Sequence, residues 1–203
     1  IVVCGSDQIW RKQPEGVGYN PMYFGKNNIS ACKQISYAAS MGILPESEKD
    51  KQEITQLVKY LSNVSVREDN LRDFLIDLGF NGISVSLDPT LLLNREQWNS
   101  LIPCKSCITG RYALFYEVAN NCIDKKQMQD FCDKRGLKLV VIRTKMLWRE
   151  TSTELCTVSP DIFVNLIRYS DFVFTTSFHG LAFSIIYHKQ FVCSAGKKAS
   201  RLV

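Results

Sequence analysis

The sequence predicts an α/β protein built on parallel sheets covered on both faces, and three observations carry that prediction. Short apolar runs (IVVCG, VSVRE, ISVSL, RYALFYEV, LKLVVI, FVFTT, QFVC) recur along the chain. Between them lie segments with apolar residues spaced three and four apart, the period of a helix resting one face on a core. The runs end in glycine, hydroxyl or Asp-Pro signals that stop a strand, so strand and helix alternate as parallel sheets require.

Taken in order, residues 1–5 read as an interior strand entering a turn. Residues 10–28 hold two prolines and three glycines with no steady period and read as a loop. QISYAAS (34–40) is strand-like. A helix follows with Ile54, Leu57, Val58 and Leu61 on one face behind an acidic first turn. VSVRE is the next strand, then a helix carrying Leu71, Phe74, Leu75 and Leu78 with Gly79 as its stop. ISVSL (83–87) closes at Asp88-Pro89, and NREQWNSL reads as a short helix.

Residues 104–110, rich in turn residues and charge, are read as a linker between a first domain (1–103) and a second (111–203). The second half repeats the alternation. It has strand RYALFYEV, a helix at 125–134, strand LKLVVI, a loop at 144–158, a helix at 160–169, strand FVFTT, a helix from about His179, and strand QFVC. Ser159-Pro160-Asp161 marks a helix start with a capping hydroxyl, a proline and an acid.

Composition narrows the function classes. The chain of 203 residues is 45% apolar and 22% charged, ordinary for a folded domain or two. No apolar stretch approaches the roughly 20 residues of a membrane-spanning helix. Both ends look cut, so the chain reads as an internal piece of a longer protein. A net charge of +5 suits a phosphate- or carboxylate-bearing substrate and is too mild and dispersed to indicate nucleic acid. The eight cysteines lack regular spacing and read as reduced thiols of a cytoplasmic protein. Cys104 and Cys107 form half of a zinc-ligand pattern, but no second half has the required spacing, and no metal site is expected.

In parallel sheets ligands collect at the carboxyl ends of strands, so the polar residues just past each strand are the candidates. Gly5 permits close backbone approach, and Ser6 and Asp7 can bind sugar hydroxyls, with Asp7 able to accept a proton; a helix cap is the alternative. Arg67 offers a planar fork to an anion at the start of the next helix, or a surface ion pair with Glu68 or Asp69. Asp88 is either a ligand or the cap of a turn before proline. Thr175, Thr176 and Ser177 precede a helix whose first turn holds His179 and Gly180, where phosphate can meet backbone N–H groups and imidazolium can donate a proton. A hydrogen-bonded structural histidine is the alternative there, and His188, near a helix end, has only that bland reading.

With these residues assembled, GSDQIW (5–10), SYAASMG (36–42), SVREDN (65–70), LDPTLLL (87–93) and the stretch 159–191 resemble the polysaccharide pyruvyl transferase family in order and spacing. The resemblance implies two Rossmann-like domains facing a cleft, as in GT-B glycosyltransferases. It implies phosphoenolpyruvate as donor, a sugar of a cell-surface glycan or lipid-linked glycan as acceptor, and a pyruvate ketal as product. It further implies that Arg67 binds the donor and His179 is the acid; the reaction needs no cofactor, and any membrane association comes through the acceptor at the inner face. Many members carry Arg-Leu between the serine and histidine where this chain has Phe178. A second cationic contact would then fall to Lys197, Lys198 or Arg201. A nucleotide-sugar glycosyltransferase and a non-catalytic glycan-assembly module of the same fold stand as rival readings.

Overall fold

The structure is a computed structural model of the 203-residue chain. It describes all residues except 14–16, 27–32, 107, 119–122, 144–153, 157 and 195–203. The chain forms two compact units, Ile1–Leu92 and Leu93–Val203.

In the first unit, β1 (Val2–Cys4) pairs in parallel with β2 (Gln34–Ser36), and β3 (Ser65–Val66) pairs in parallel with β4 (Ser84–Val85). Parallel bridges from Ile35 to Asn63 and from Ala39 to Val66 join the two pairs. All four strands therefore end on the same edge. Helix α1 (Glu48–Val58) is capped by Ser47, whose side chain accepts from the Asp50 N–H, and it lays Ile54, Leu57 and Val58 into the core as their spacing predicts. Helix α2 (Asp69–Asp77) buries Leu71 and Leu75, and Gly79 beyond it takes a positive φ of 90°.

Two expectations need correction here. Residues 10–28 are more than a loop: Trp10 stacks on Phe24 at 4.8 Å, Tyr19 meets Phe24 edge-on, and all three are buried around a 3-10 turn at Pro21–Phe24. The Trp10 indole N–H donates to the Tyr23 carbonyl at 2.9 Å, which satisfies its polar atom inside the core. The sheet is also not covered throughout, because Val3, Val85 and Leu87 are exposed.

The second unit begins with α3 (Arg95–Leu101), started by a capping box between Asn94 and Gln97. Trp98 of α3 packs edge-on against Phe183 at 5.0 Å. Arg168 donates to the Ile102 carbonyl, the Cys104 sulfur and the Asn165 side chain, tying 102–104 to this unit. The helix placed with the first domain on sequence grounds thus contributes to the second core.

Five parallel strands follow: β5 (Tyr112–Glu117), β6 (Lys138–Arg143), β7 (Glu154–Cys156), β8 (Phe172–Thr175) and β9 (Gln190–Cys193), in the order β7-β6-β5-β8-β9. Strand β7 falls where only a loop was expected. Helix α4 (Lys125–Arg135) packs Met128 and Cys132 against Ala113, Phe115, Val141 and Phe174 on one face. Helices α5 (Pro160–Tyr169) and α6 (Phe178–Ile186) pack Val164, Leu166, Ile167 and Phe183 against Leu114, Val140, Ile142 and Val173 on the other. Alternate residues of β5 serve opposite faces, the two-residue period of a strand buried on both sides. The chain starts in the middle of this sheet, moves out to β7 and returns to the other side of β5. The strand order therefore reverses between β5 and β8, the position where open parallel sheets leave a crevice.

Candidate active site

Because parallel strands align their carboxyl ends, the segments after β1, β2, β3 and β4 meet in the first unit. Gly5 is required by packing: at φ 149° a Cβ there would collide with the Tyr37 carbonyl. That explains the glycine without a ligand. No helix follows it, so the capping alternative for Ser6 and Asp7 fails. Instead the Asp7 carbonyl accepts from the N–H groups of Ile9 and Ser40, and Asp7 itself sits at φ 62°.

Arg67 stands at the centre of this edge. Its Nη1 donates to Asp88 Oδ2 at 2.9 Å and its Nε to Glu68 Oε1 at 3.2 Å, while Nη2 lies 3.8 Å from Asp7 Oδ1. Its side chain is 6% exposed, so the surface-pair alternative does not describe it; Asp69 pairs with Arg72 instead. Asp88 has no exposed side-chain surface. Its Oδ2 also accepts from the Ser6 hydroxyl at 2.9 Å, and its Oδ1 accepts from the Thr90 N–H and hydroxyl. Both readings of Asp88 meet in one group, since it caps the turn before Pro89 and holds Arg67. It presents no oxygen to a ligand. Burial alone would raise the Asp88 carboxyl's pKa, but the bonds from Thr90, Ser6 and Arg67 outweigh it and hold the group below the ordinary range.

Two further residues complete this cluster: Ser40, which the sequence reading missed as a site residue, and Glu68, which it named only as a partner of Arg67. Glu68 accepts from Arg67, and Ser40, just past β2, donates to the same Glu68 oxygen at 2.7 Å. Their position after strands was the available signal, and it was read only as a possible surface partner in the case of Glu68.

In the second unit, Thr175, Thr176 and Ser177 leave β8 at the order reversal. The Thr175 hydroxyl donates to the Tyr116 carbonyl and accepts from the Ser177 N–H, and the Thr176 hydroxyl accepts from the Val118 N–H. Ser177 caps α6, its hydroxyl accepting from the Gly180 N–H at 3.5 Å. Gly180 touches Thr175 so closely that a Cβ would collide with its hydroxyl. Buried as they are, Ser177 and Gly180 shape the loop.

His179 differs from its neighbours. Its half-buried imidazole meets Phe178 edge-on at 5.5 Å and makes no side-chain hydrogen bond to any described residue. His188, by contrast, is an exposed residue at the end of α6. Lys197, Lys198 and Arg201 lie outside the described residues, as does Cys107 of the Cys104 pair. Burial pushes the Cys4, Cys132 and Cys193 thiols up, away from thiolate. Among the described residues no group of three metal-ligating side chains gathers, and no helix is long and apolar enough to cross a membrane.

The first unit thus presents a guanidinium fixed on two sides with a carboxylate beside it, and the second an imidazole at a helix start, each at the strand ends of an α/β protein with parallel sheets. The polysaccharide pyruvyl transferase family model matches residues 1–197, and the chain belongs to that family. Neither a curated protein nor a solved structure matches it.

Proposed function

We propose that the protein transfers the pyruvate group of phosphoenolpyruvate to a sugar of a polysaccharide, forming a ketal across two hydroxyls. Family membership supports the class of reaction, and the imidazole of His179, half-buried at the strand-order reversal without a hydrogen bond to a described residue, carries the assignment of the acid.

In this reading the first sugar hydroxyl gives its proton to Asp7 as its oxygen bonds to the donor's central carbon. His179 delivers a proton to the methylene carbon, which becomes the ketal's methyl group. Phosphate then leaves, the second hydroxyl bonds to the same carbon, and its proton departs to phosphate or water. The N-terminus of α6 suits the negative charge of the donor. Arg67 supplies a cation to the donor's carboxylate or phosphate.

Incubating the full-length protein with phosphoenolpyruvate and candidate glycans should release phosphate and add pyruvate mass to the glycan. Retained full turnover by a folded His179→Gln variant would remove the acid assignment. Arg67→Lys is the better probe of donor binding than Arg67→Ala, because removing the charge would leave Asp88 buried and unpaired. Lysine keeps the charge but loses the planar fork, so donor KM should rise; an unchanged KM would return Arg67 to a purely structural role. Saturable binding of a nucleotide sugar in place of phosphoenolpyruvate would replace the reading with that of a glycosyltransferase.

A further inference from the structure

We propose that the second sugar hydroxyl passes its proton to phosphate or water by way of Glu68, whose open carboxylate oxygen orients that hydroxyl for ring closure ahead of water. This rests on the pyruvyl transfer reading above and adds to it the base of the second step.

Glu68 occupies the N-cap position of α2, yet its side chain makes no capping bond. A side-chain oxygen at that position ordinarily accepts from one of the helix's first N–H groups. The Glu68 carboxylate instead bonds across the strand ends. Its Oε1 accepts from the Ser40 hydroxyl at 2.7 Å and from Arg67 Nε at 3.2 Å. Ser40 is fully buried, its N–H donating to the Asp7 carbonyl and its own carbonyl accepting from the Trp10 N–H. One oxygen of the carboxylate is therefore anchored to a fixed group, which limits where the other lies. Oε2 accepts no hydrogen bond from a described residue and is open to solvent, on a side chain 19% exposed. Asp88, by comparison, has both oxygens occupied and no exposed side-chain surface.

Closing a ketal brings two hydroxyls of one sugar to one carbon. Asp7 and Glu68 border the same guanidinium, at 3.8 Å from Nη2 and 3.2 Å from Nε, so both carboxylates stand within reach of one sugar. In the first step a hydroxyl adds to a neutral carbon and gives its proton to Asp7. In the second, phosphate has left with its bonding electron pair, the carbon is cationic, and the incoming hydroxyl's proton turns acidic as the new C–O bond forms. The strength of the base then matters little, and placement decides which nucleophile arrives. A hydroxyl donating to Oε2 is held with a lone pair free for the carbon. Water arriving in its place gives a hemiketal that breaks down to free pyruvate and the unaltered sugar. Oε2 hands the proton on to phosphate or water, which restores the carboxylate.

The test measures phosphate, free pyruvate and ketal together when the full-length protein is given phosphoenolpyruvate and unprotected nitrophenyl hexosides. Glu68→Gln keeps a carbonyl oxygen for Ser40 and Arg67 and puts an amide N–H₂, which cannot take a proton, where Oε2 stood. Free pyruvate per ketal should rise about tenfold or more, less than the roughly 10²-fold a positioned base typically gives, because the proton is already acidic. Glu68→Asp serves if Glu68→Gln fails to fold. It retains the charge and is a strong helix cap, but it withdraws the carboxylate by one methylene, and it should raise the same ratio. Asp69→Asn, which removes a neighbouring charge paired to Arg72, is the control and should leave the ratio unchanged. Slower turnover by the Glu68 variants at an unaltered ratio would make Glu68 only a support for Arg67 and overturn the proposal, as would an equal rise in Asp69→Asn; either result leaves pyruvyl transfer standing. Absence of phosphate release by the unaltered protein overturns pyruvyl transfer itself, and this step with it.

Discussion

A carboxylate with no exposed surface and four donors directed at it has no lone pair left for a substrate, and Asp88 is in that position. Its contribution is to fix the guanidinium. Asp88→Asn would keep an acceptor for Thr90 but turn an amide N–H₂ toward Arg67 or Ser6, and it would leave a buried cation short of its shortest ion pair. We expect a loss of about 3 kcal/mol at neutral pH, the usual order for breaking a buried pair, read from urea denaturation followed by circular dichroism. The pH dependence follows from the lowered pKa of Asp88. A group depressed in the folded state contributes stability that is full above its unfolded value of roughly 4 and is lost as pH falls through the folded value. The deficit of Asp88→Asn against the unaltered protein should therefore be constant near neutrality and shrink on acidification below about pH 4. A deficit independent of pH would mean that the side chain's shape matters and its charge does not.

At the scale of an element, α6 sets two effects against each other at Gly180. Glycine inside a helix costs about 1 kcal/mol relative to alanine, so Gly180→Ala would ordinarily stabilise. Here the added Cβ collides with the Thr175 hydroxyl, and Thr175 is fully buried and bonded to Tyr116 and Ser177. Overpacking costs of roughly 1–3 kcal/mol outweigh the propensity gain. The variant should lower the melting temperature and, under the function proposed above, reduce turnover more than donor binding by shifting the turn that carries His179; a raised melting temperature would show that the contact relaxes freely. Elements of this kind were legible in proportion to their length and signals. Helix α5 spans Pro160–Tyr169 as its Ser-Pro-Asp start implies, although Ser159 bonds the Asp161 carboxylate and holds it below its ordinary range instead of capping an N–H. Three-residue β7 has too few positions to display a period. The burial of Trp10, Tyr19 and Phe24 comes from contacts distant in sequence that no local pattern encodes. The same holds for the site. Reading polar residues after strands located Ser6, Asp7, Arg67 and Asp88, but which of them grip one another is set by strand order, so the bond from Arg67 to Asp88 was not foreseen and Ser40 was missed.

For the whole molecule, the division at Leu92/Leu93 gives each unit its own core and its own tryptophan. Trp10 is buried with Phe24, Met41 and Leu71 in the first, and Trp98 packs against Phe183 in the second. Domains with separate cores tend to unfold as separate cooperative units, so a single two-state description should fail for this chain. With Trp148 replaced by Phe throughout, two reporter proteins carrying only Trp10 or only Trp98, the other also changed to Phe, would follow the units one at a time. Their urea midpoints should differ. Each substitution lies within one unit, so Asp88→Asn should lower the Trp10 midpoint and spare the Trp98 midpoint, and Gly180→Ala should do the reverse. If either substitution moved both midpoints equally, the two cores would form one cooperative unit, and the strand-end groups of Arg67 and His179 would share a single stability.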